Sequence, residues 1–503
     1  MSLLKRNIVA NYASQIYVTL IGILMLPMYI KYMGVEAFGL VGFFSMLQAW
    51  FNLLDLGLTP TIGRETARFR AGSLDALGFR RLFRALSAIF FMIAFIGGSG
   101  LLLLSSVIAE DWLNAEALPL HEIQIAVQIM VISVALRWMC GLYRGVITGS
   151  ERLVWLGGFS ACIATLRFVG VLPVMWYFGF NPMVFFTYQL LIAVIEITGL
   201  WFKSTYLLPK LTAESDPIGW SFSPLRPVLK FSLTIAFTAS VWVMVTQTDK
   251  LVLSSILPLT EYGYFTLAVL VAGGIMIIGG PVSSAIMPRM AKLEAEGNKE
   301  EVIRIYRQST QLVTIIAGSA AVTLTFCAEP LLWAWTGDAV LASKAAPILI
   351  LYAIGNGILA VAAFPYYLQY ARGDLRLHFI GHLLLLFILI PSIVIAATYY
   401  GAIGAGYVWV TVNSLYLLVW VAVIHRKLEP GLHWDWFFKD VLMIGVPVTL
   451  LGSVILLVEL NFSSRLGNLI YVMAFGGIIT VLAALMSQSA RYFISKLIVR
   501  ATH

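Results

Sequence analysis

Residues 226–265 read RPVLKFSLTIAFTASVWVMVTQTDKLVLSSILPLTEYGYF. The stretch leaves a basic loop and stays apolar for longer than the roughly 20 residues that cross a bilayer. Inside it an acid and a base stand side by side, Asp249 and Lys250. A charge at the centre of a hydrocarbon layer costs roughly 2.5–3.5 kcal/mol on insertion scales, so ionisable groups there usually face a protein interior or an aqueous path. The stretch ends in Glu261-Tyr262-Gly263-Tyr264-Phe265, an echo of Glu36-Ala37-Phe38-Gly39-Leu40 near the N-terminus. It therefore opens the second half of a duplicated chain.

Composition sets the class. Of 503 residues, 60% are apolar and only 12% charged, and the mean hydropathy is +0.90. Such a chain lacks the polar surface that a water-soluble globule of this size needs. The three cysteines, Cys140, Cys162 and Cys327, fall in separate apolar runs, so neither a disulfide frame nor a metal cluster is expected. The net charge of +8 is read as basic loops on one membrane face, not as a nucleic-acid surface. Met1–Arg6 is basic and precedes an apolar run without a small-residue cleavage site, which predicts a retained first span.

Fourteen apolar segments of spanning length follow, at about 7–31, 37–61, 84–108, 122–148, 154–178, 182–203, 228–257, 261–287, 308–336, 345–371, 376–400, 402–425, 437–460 and 467–489. The predicted class is all-α, a polytopic membrane protein. With both termini cytoplasmic, 27 of the 33 Lys and Arg residues fall on the cytoplasmic side, as the positive-inside rule requires. A shift of 224 residues pairs Gly39 with Gly263, Ile62 with Ile286, Ala67 with Ala291 and Arg68 with Lys292. Parallel repeats related by an axis along the membrane normal are one known transporter design. We therefore expect an N-terminal lobe at 1–205, a C-terminal lobe at 206–430, and two added spans at 431–503. The added spans are expected to bury few polar groups.

Arg137 and Arg167 fall near mid-span. Ser133, Arg137, Arg144 and Thr148 lie within about 60° on span four at 100° per residue, and Ser160 shares a face with Arg167 on span five. A guanidinium offers planar, bidentate hydrogen bonds to phosphate and never loses its charge. Arg137, Arg167 and Lys250 are therefore candidates for holding a phosphorylated group, with the opposing reading that each arginine balances a buried acid, Glu196 or Asp55. Those acids and Asp249 are candidates for ion coupling or gating, by H⁺ or Na⁺, because burial favours their protonated form. Asp249 beside Lys250 reads equally as an ion pair that locks one state. Polar stripes run along span one (Asn7, Asn11, Ser14), span two (Gln48, Asn52, Asp55, Thr59) and span seven (Thr234, Thr238, Asp249), and Asn356 lies in span ten. Such stripes either line a wet cavity or hold helices together. His378 and His382 read as packing residues near the membrane surface.

Asn7, Asn11 and Ser14, Pro27-Met28-Tyr29, Met33-Gly34-Val35-Glu36-Ala37-Phe38-Gly39, Leu54-Asp55-Leu56-Gly57-Leu58, Arg64-Glu65-Thr66-Ala67 and Asp249-Lys250 resemble the polysaccharide-transport (Wzx-type) flippases of the multidrug/oligosaccharidyl-lipid/polysaccharide exporter superfamily. The resemblance implies two lobes around a cleft that opens alternately to each side. Its implied substrate is an undecaprenyl-diphosphate-linked oligosaccharide for O-antigen, capsule or exopolysaccharide, moved to the outer leaflet of a bacterial inner membrane. It further implies a monomer that serves a polymerase and other glycan-assembly proteins, needs no cofactor, and offers a groove for the isoprenoid tail at spans thirteen and fourteen. Two relatives share the layout: a cation-coupled multidrug antiporter and a peptidoglycan lipid-precursor flippase. A glycan-processing enzyme is disfavoured because no loop is large enough to carry catalytic groups, and the absence of a P-loop argues against ATP hydrolysis.

Overall fold

The computed structural model describes residues 3–210, 217–220, 222–277, 279–457 and 462–491. Those residues are helical apart from short connections and one isolated bridge between Asn114 and Pro258. Among them twelve helices are long and apolar enough to cross a membrane, where the hydropathy pattern led us to expect fourteen. The expected spans 376–400 and 402–425 run together within Arg376–Leu428 and turn at Gly401, whose φ is 57°. The expected span 228–257 is the 31-residue helix Arg226–Ile256, which is not among the twelve. The side chains of Thr234 and Thr238 lie outside what the structure describes.

The chain divides into two compact units, Met1–Gly263 and Tyr264–His503. In the first, α1 (Leu3–Met33), α2 (Val35–Phe51), α3 (Leu58–Arg70), α4 (Ala76–Leu103), α5 (Leu120–Gly149), α6 (Leu153–Phe168), α7 (Pro182–Leu207) and α8 (Arg226–Ile256) follow in order. Gly34, with φ 87°, separates α1 from α2, a backbone angle that only glycine adopts without cost. At the start of α2, Glu36 accepts backbone N–H groups of Glu116, Ala117 and Leu118 at 2.7–3.4 Å, which pins the loop before α5.

The buried centre of this unit is α5. Val127, Met130, Val131, Val134, Val146 and Ile147 on it are fully enclosed, with α2, α3, α4 and α7 packed around them. Its contact with α3 rests on Gly141, Gly145 and Gly149, spaced four apart as in small-residue helix interfaces. A Cβ at Gly145 would stand 2.4 Å from the side chain of Ile62, and one at Gly149 would stand 2.2 Å from the Gly63 carbonyl oxygen. The two backbones touch because nothing intervenes.

Span two is not the continuous helix expected over 37–61. After Phe51 the chain tightens into a 3₁₀ turn at Asn52–Asp55 and passes through the left-handed region at Leu56 (φ 48°) and Gly57 (φ 70°). It then restarts as α3. A left-handed leucine costs roughly 1–2 kcal/mol, so the packing around it must impose the bend. Gly57 meets α8 so closely that a Cβ would lie 2.2 Å from the Ser232 carbonyl oxygen, and the Ser232 hydroxyl donates to the Leu56 carbonyl at 2.6 Å. At membrane depth, freed backbone of this kind is tolerated where protein or a water-filled cavity receives it.

In the second unit a large apolar cluster joins Met290, Val302, Tyr306, Leu368, Val421 and Trp436, and a second joins Ile444, Val448, Phe475 and Ile479 to Cys327. The last two spans, Leu432–Leu456 and Arg465–Met486, bury more polar chemistry than expected. Asp440 is fully buried, accepts from Arg307 Nε at 2.6 Å and Nη2 at 3.2 Å, and receives Gln311 Nε2 at 2.6 Å. Gln311 in turn accepts from the Ser487 hydroxyl at 2.7 Å. The hydropathy average hid this network because Arg307, Gln311 and Asp440 are single polar residues within otherwise apolar spans, Lys299–Phe326 and Leu432–Leu456.

Candidate functional site

The break between α2 and α3 opens onto a cavity of about 430 Å³ whose polar wall includes Asn52, Asp55, Thr59, Arg137, Arg144 and Ser240. Three helices set it up. The bend turns Asp55 back over the start of α3, where its carboxylate accepts the Thr59 hydroxyl at 2.5 Å and the Thr59 N–H at 3.3 Å. The carboxylate thereby serves a helix N-terminus and its positive dipole end. Opposite it, α5 presents both arginines on one face, and α8 closes the wall with Ala236, Ser240 and Val243.

The two arginines are anchored by matched rungs to α7. Arg137 Nη2 donates to Gln189 Oε1 at 3.1 Å, and Arg144 Nη2 donates to Glu196 Oε1 at 2.5 Å. Seven residues separate the rungs on each helix, about 10.5 Å at 1.5 Å per residue, so α5 and α7 run parallel here. The rungs differ in charge. Arg144 has a carboxylate and also donates to the Ser160 hydroxyl at 3.3 Å. Arg137, only 8% exposed, has a neutral amide, the ring of Phe44 at 5.4 Å, and an Nε with no hydrogen-bond partner. Among the described residues it forms no ion pair. A buried cation held this way is a standing demand for an anion.

Arg167 belongs to the same neighbourhood without lining the cavity. Its guanidinium rests 4.5 Å from the Phe168 ring centroid, and its carbonyl accepts from Gln189 Nε2 at 3.1 Å. Gln189 therefore ties the backbone of one arginine to the side chain of the other. Sequence reading missed Gln189, and put Arg144 on the polar face of span four without naming it among the phosphate-holding candidates. The signal was available: Gln189 and Glu196 repeat the seven-residue spacing of Arg137 and Arg144.

Other candidates lie elsewhere. Lys250 sits in the same compact unit as the arginines but does not line their cavity. Its Nζ donates to the Thr246 carbonyl at 2.7 Å and to Asp249 Oδ1 at 3.2 Å, while Asp249 is buried. Asn7 donates to the Glu151 carbonyl at 3.1 Å and Ser14 to the Gly157 carbonyl at 2.9 Å, so these two residues hold α1 to the α5–α6 connection and to α6. Asn11 is exposed and accepts from Gln15 at 3.3 Å, and Gln48 is half-buried on α2. In the second unit Asn356 is spent on the Ala272 carbonyl at 2.9 Å and on Trp409 Nε1 at 3.0 Å. Among the described residues no group of three or more His, Cys, Asp and Glu is placed to hold a metal.

A family profile described as polysaccharide biosynthesis protein matches residues 4–294, more than half of the chain. The chain belongs to this family. As a member of the polysaccharide biosynthesis protein family it shares its fold with solved transporters at low sequence identity. A structure titled lipid II flippase MurJ, inward closed conformation, aligns with a TM-score of 0.71 at 14% identity, over 98% of this chain and 99% of that one. An inward-facing multidrug resistance MATE family transporter of the MOP superfamily aligns with a TM-score of 0.67 at 14% identity, over 83% and 96%. A MOP superfamily transporter from Pyrococcus furiosus, whose title reports a binding pocket of reverse polarity, aligns with a TM-score of 0.55 at 14% identity, over 85% and 95%. No curated protein matches by sequence.

Proposed function

We propose that this protein is a flippase rather than an enzyme, carrying an undecaprenyl-diphosphate-linked oligosaccharide from the cytoplasmic to the outer leaflet of a bacterial inner membrane by alternating access between two six-helix lobes. The observation that carries the reading is Arg137, a buried guanidinium beside a polar cavity with no acid of its own. A diphosphate crossing hydrocarbon loses its water shell, and charge-assisted bonds from Arg137 and Arg144 replace it. Membership of a polysaccharide biosynthesis family supports a glycan-bearing substrate such as an O-antigen, capsule or exopolysaccharide unit. Asp55, facing the same cavity, is the acid we assign to a coupling H⁺ or Na⁺. Asp249 and Lys250, already joined to each other, act in gating.

A peptidoglycan lipid-precursor flippase is the second reading, favoured by the near end-to-end alignment with a lipid II flippase. The test is translocation in proteoliposomes of a fluorescent diphosphate-lipid-linked oligosaccharide, with lipid II and a cationic dye run in parallel. Native protein is expected to move the first, and Arg137→Ala to lose that activity. Equal movement by native and variant removes the arginine site; preference for lipid II or for the dye replaces the substrate.

A further inference from the structure

Arg144 is the only arginine of the cavity wall that meets a carboxylate, and it is half open: 36% of its side chain is exposed against 7% for Glu196. It lies two turns from Arg137 on the same face of α5, and both line the cavity. Both arginines line one cavity, so an anion drawn to the unsatisfied Arg137 enters the space that Arg144 also faces. Of five guanidinium donors, the Arg144 bonds to Ser160 and Glu196 engage two nitrogens.

Resting on the flippase reading, we propose that Glu196 is an internal stand-in for the substrate's second phosphate. It holds Arg144 before the diphosphate arrives and gives it up when the diphosphate binds. The exchange is intelligible physically. Two anions compete for one cation, and the displaced carboxylate stays on α7, two turns from the Gln189 that holds Arg137. The consequence is a binding site held deliberately weak. A carrier must release what it binds, and a built-in competitor sets affinity without removing any contact to the substrate.

The experiment measures binding of inorganic pyrophosphate and of a short-chain prenyl diphosphate to the full-length protein in nanodiscs, by calorimetry, for native protein, Glu196→Gln, Glu196→Asp and Arg137→Ala. Glutamine keeps an oxygen for Arg144 but removes the charge, so Glu196→Gln is expected to tighten both ligands on the order of tenfold, the scale of one close charge pair. It should also slow turnover in the flipping assay. Glu196→Asp, which lengthens the pair, should tighten them less and serves if the glutamine variant fails to fold. Unchanged or weaker affinity for both ligands in a folded Glu196 variant, with Arg137→Ala still impaired, overturns the competitor role alone. Tightening for pyrophosphate without tightening for the prenyl diphosphate also overturns it. If Arg137→Ala binds both as native protein does, the cavity reading itself falls.

Discussion

Gly39 stands against the backbone of Leu259, and a Cβ on it would lie 2.4 Å from the Leu259 carbonyl oxygen. The same contact recurs with the partners exchanged: a Cβ on Gly263 would lie 2.5 Å from the Val35 carbonyl oxygen. Val35 and Leu259, like Gly39 and Gly263, are 224 residues apart, the offset found in the sequence repeat. The two segments that the 224-residue shift aligns thus cross each other at reciprocal glycines. Because backbone opposes backbone, neither side can yield by changing a rotamer.

Gly263→Val and Gly39→Val are each expected to destabilise the protein by about 1–3 kcal/mol, the scale of overpacking. Thermal unfolding in detergent followed by light scattering checks it. A pair of variants as stable as native protein would mean the crossing is looser than described.

Gln189→Glu puts a carboxylate where Arg137 now has an amide. It is expected to preserve the rung and the fold while weakening diphosphate binding on the order of tenfold, the opposite direction to Glu196→Gln. Calorimetric titration with pyrophosphate is the measurement. A variant that binds as tightly as native protein would show that Arg137 is not waiting for an anion.

Gly145→Ala is expected to push α3 away from α5, since the new Cβ meets Ile62 at 2.4 Å and the Thr59 carbonyl oxygen at 2.9 Å. Thr59 carries Asp55, so flipping should fall further than stability does, against an expected loss of about 1–3 kcal/mol. The two readouts are compared on the same preparation.

Asp440→Asn strips the Arg307 guanidinium of its acid in a buried setting, for an expected loss of about 3–5 kcal/mol. Limited proteolysis should then cut near residues 429–431, between His425 and the last two spans. Replacing both partners with apolar residues, Arg307→Met with Asp440→Leu, should recover much of that loss, as a two-variant thermal comparison will show.

Much was legible in the chain. A run such as 182–207 must be helical in lipid because every backbone group has to be satisfied within it. The charges at 137, 144, 167 and 196 had to find polar company for the same reason. The 224-residue offset was readable too, and the glycines it pairs, 39 and 263, make matching backbone contacts in the fold. The tertiary structure alone decided which arginine received the acid. Arg137 and Arg144 differ little in sequence, but the rotation and register of α7 against α5 set Gln189 beside one and Glu196 beside the other. Hydropathy averages over a single element, whereas partner choice depends on side chains 52 positions apart. The bend at Leu56–Gly57 was hidden likewise, because α8, remote in sequence, holds those residues in a conformation their local preferences oppose.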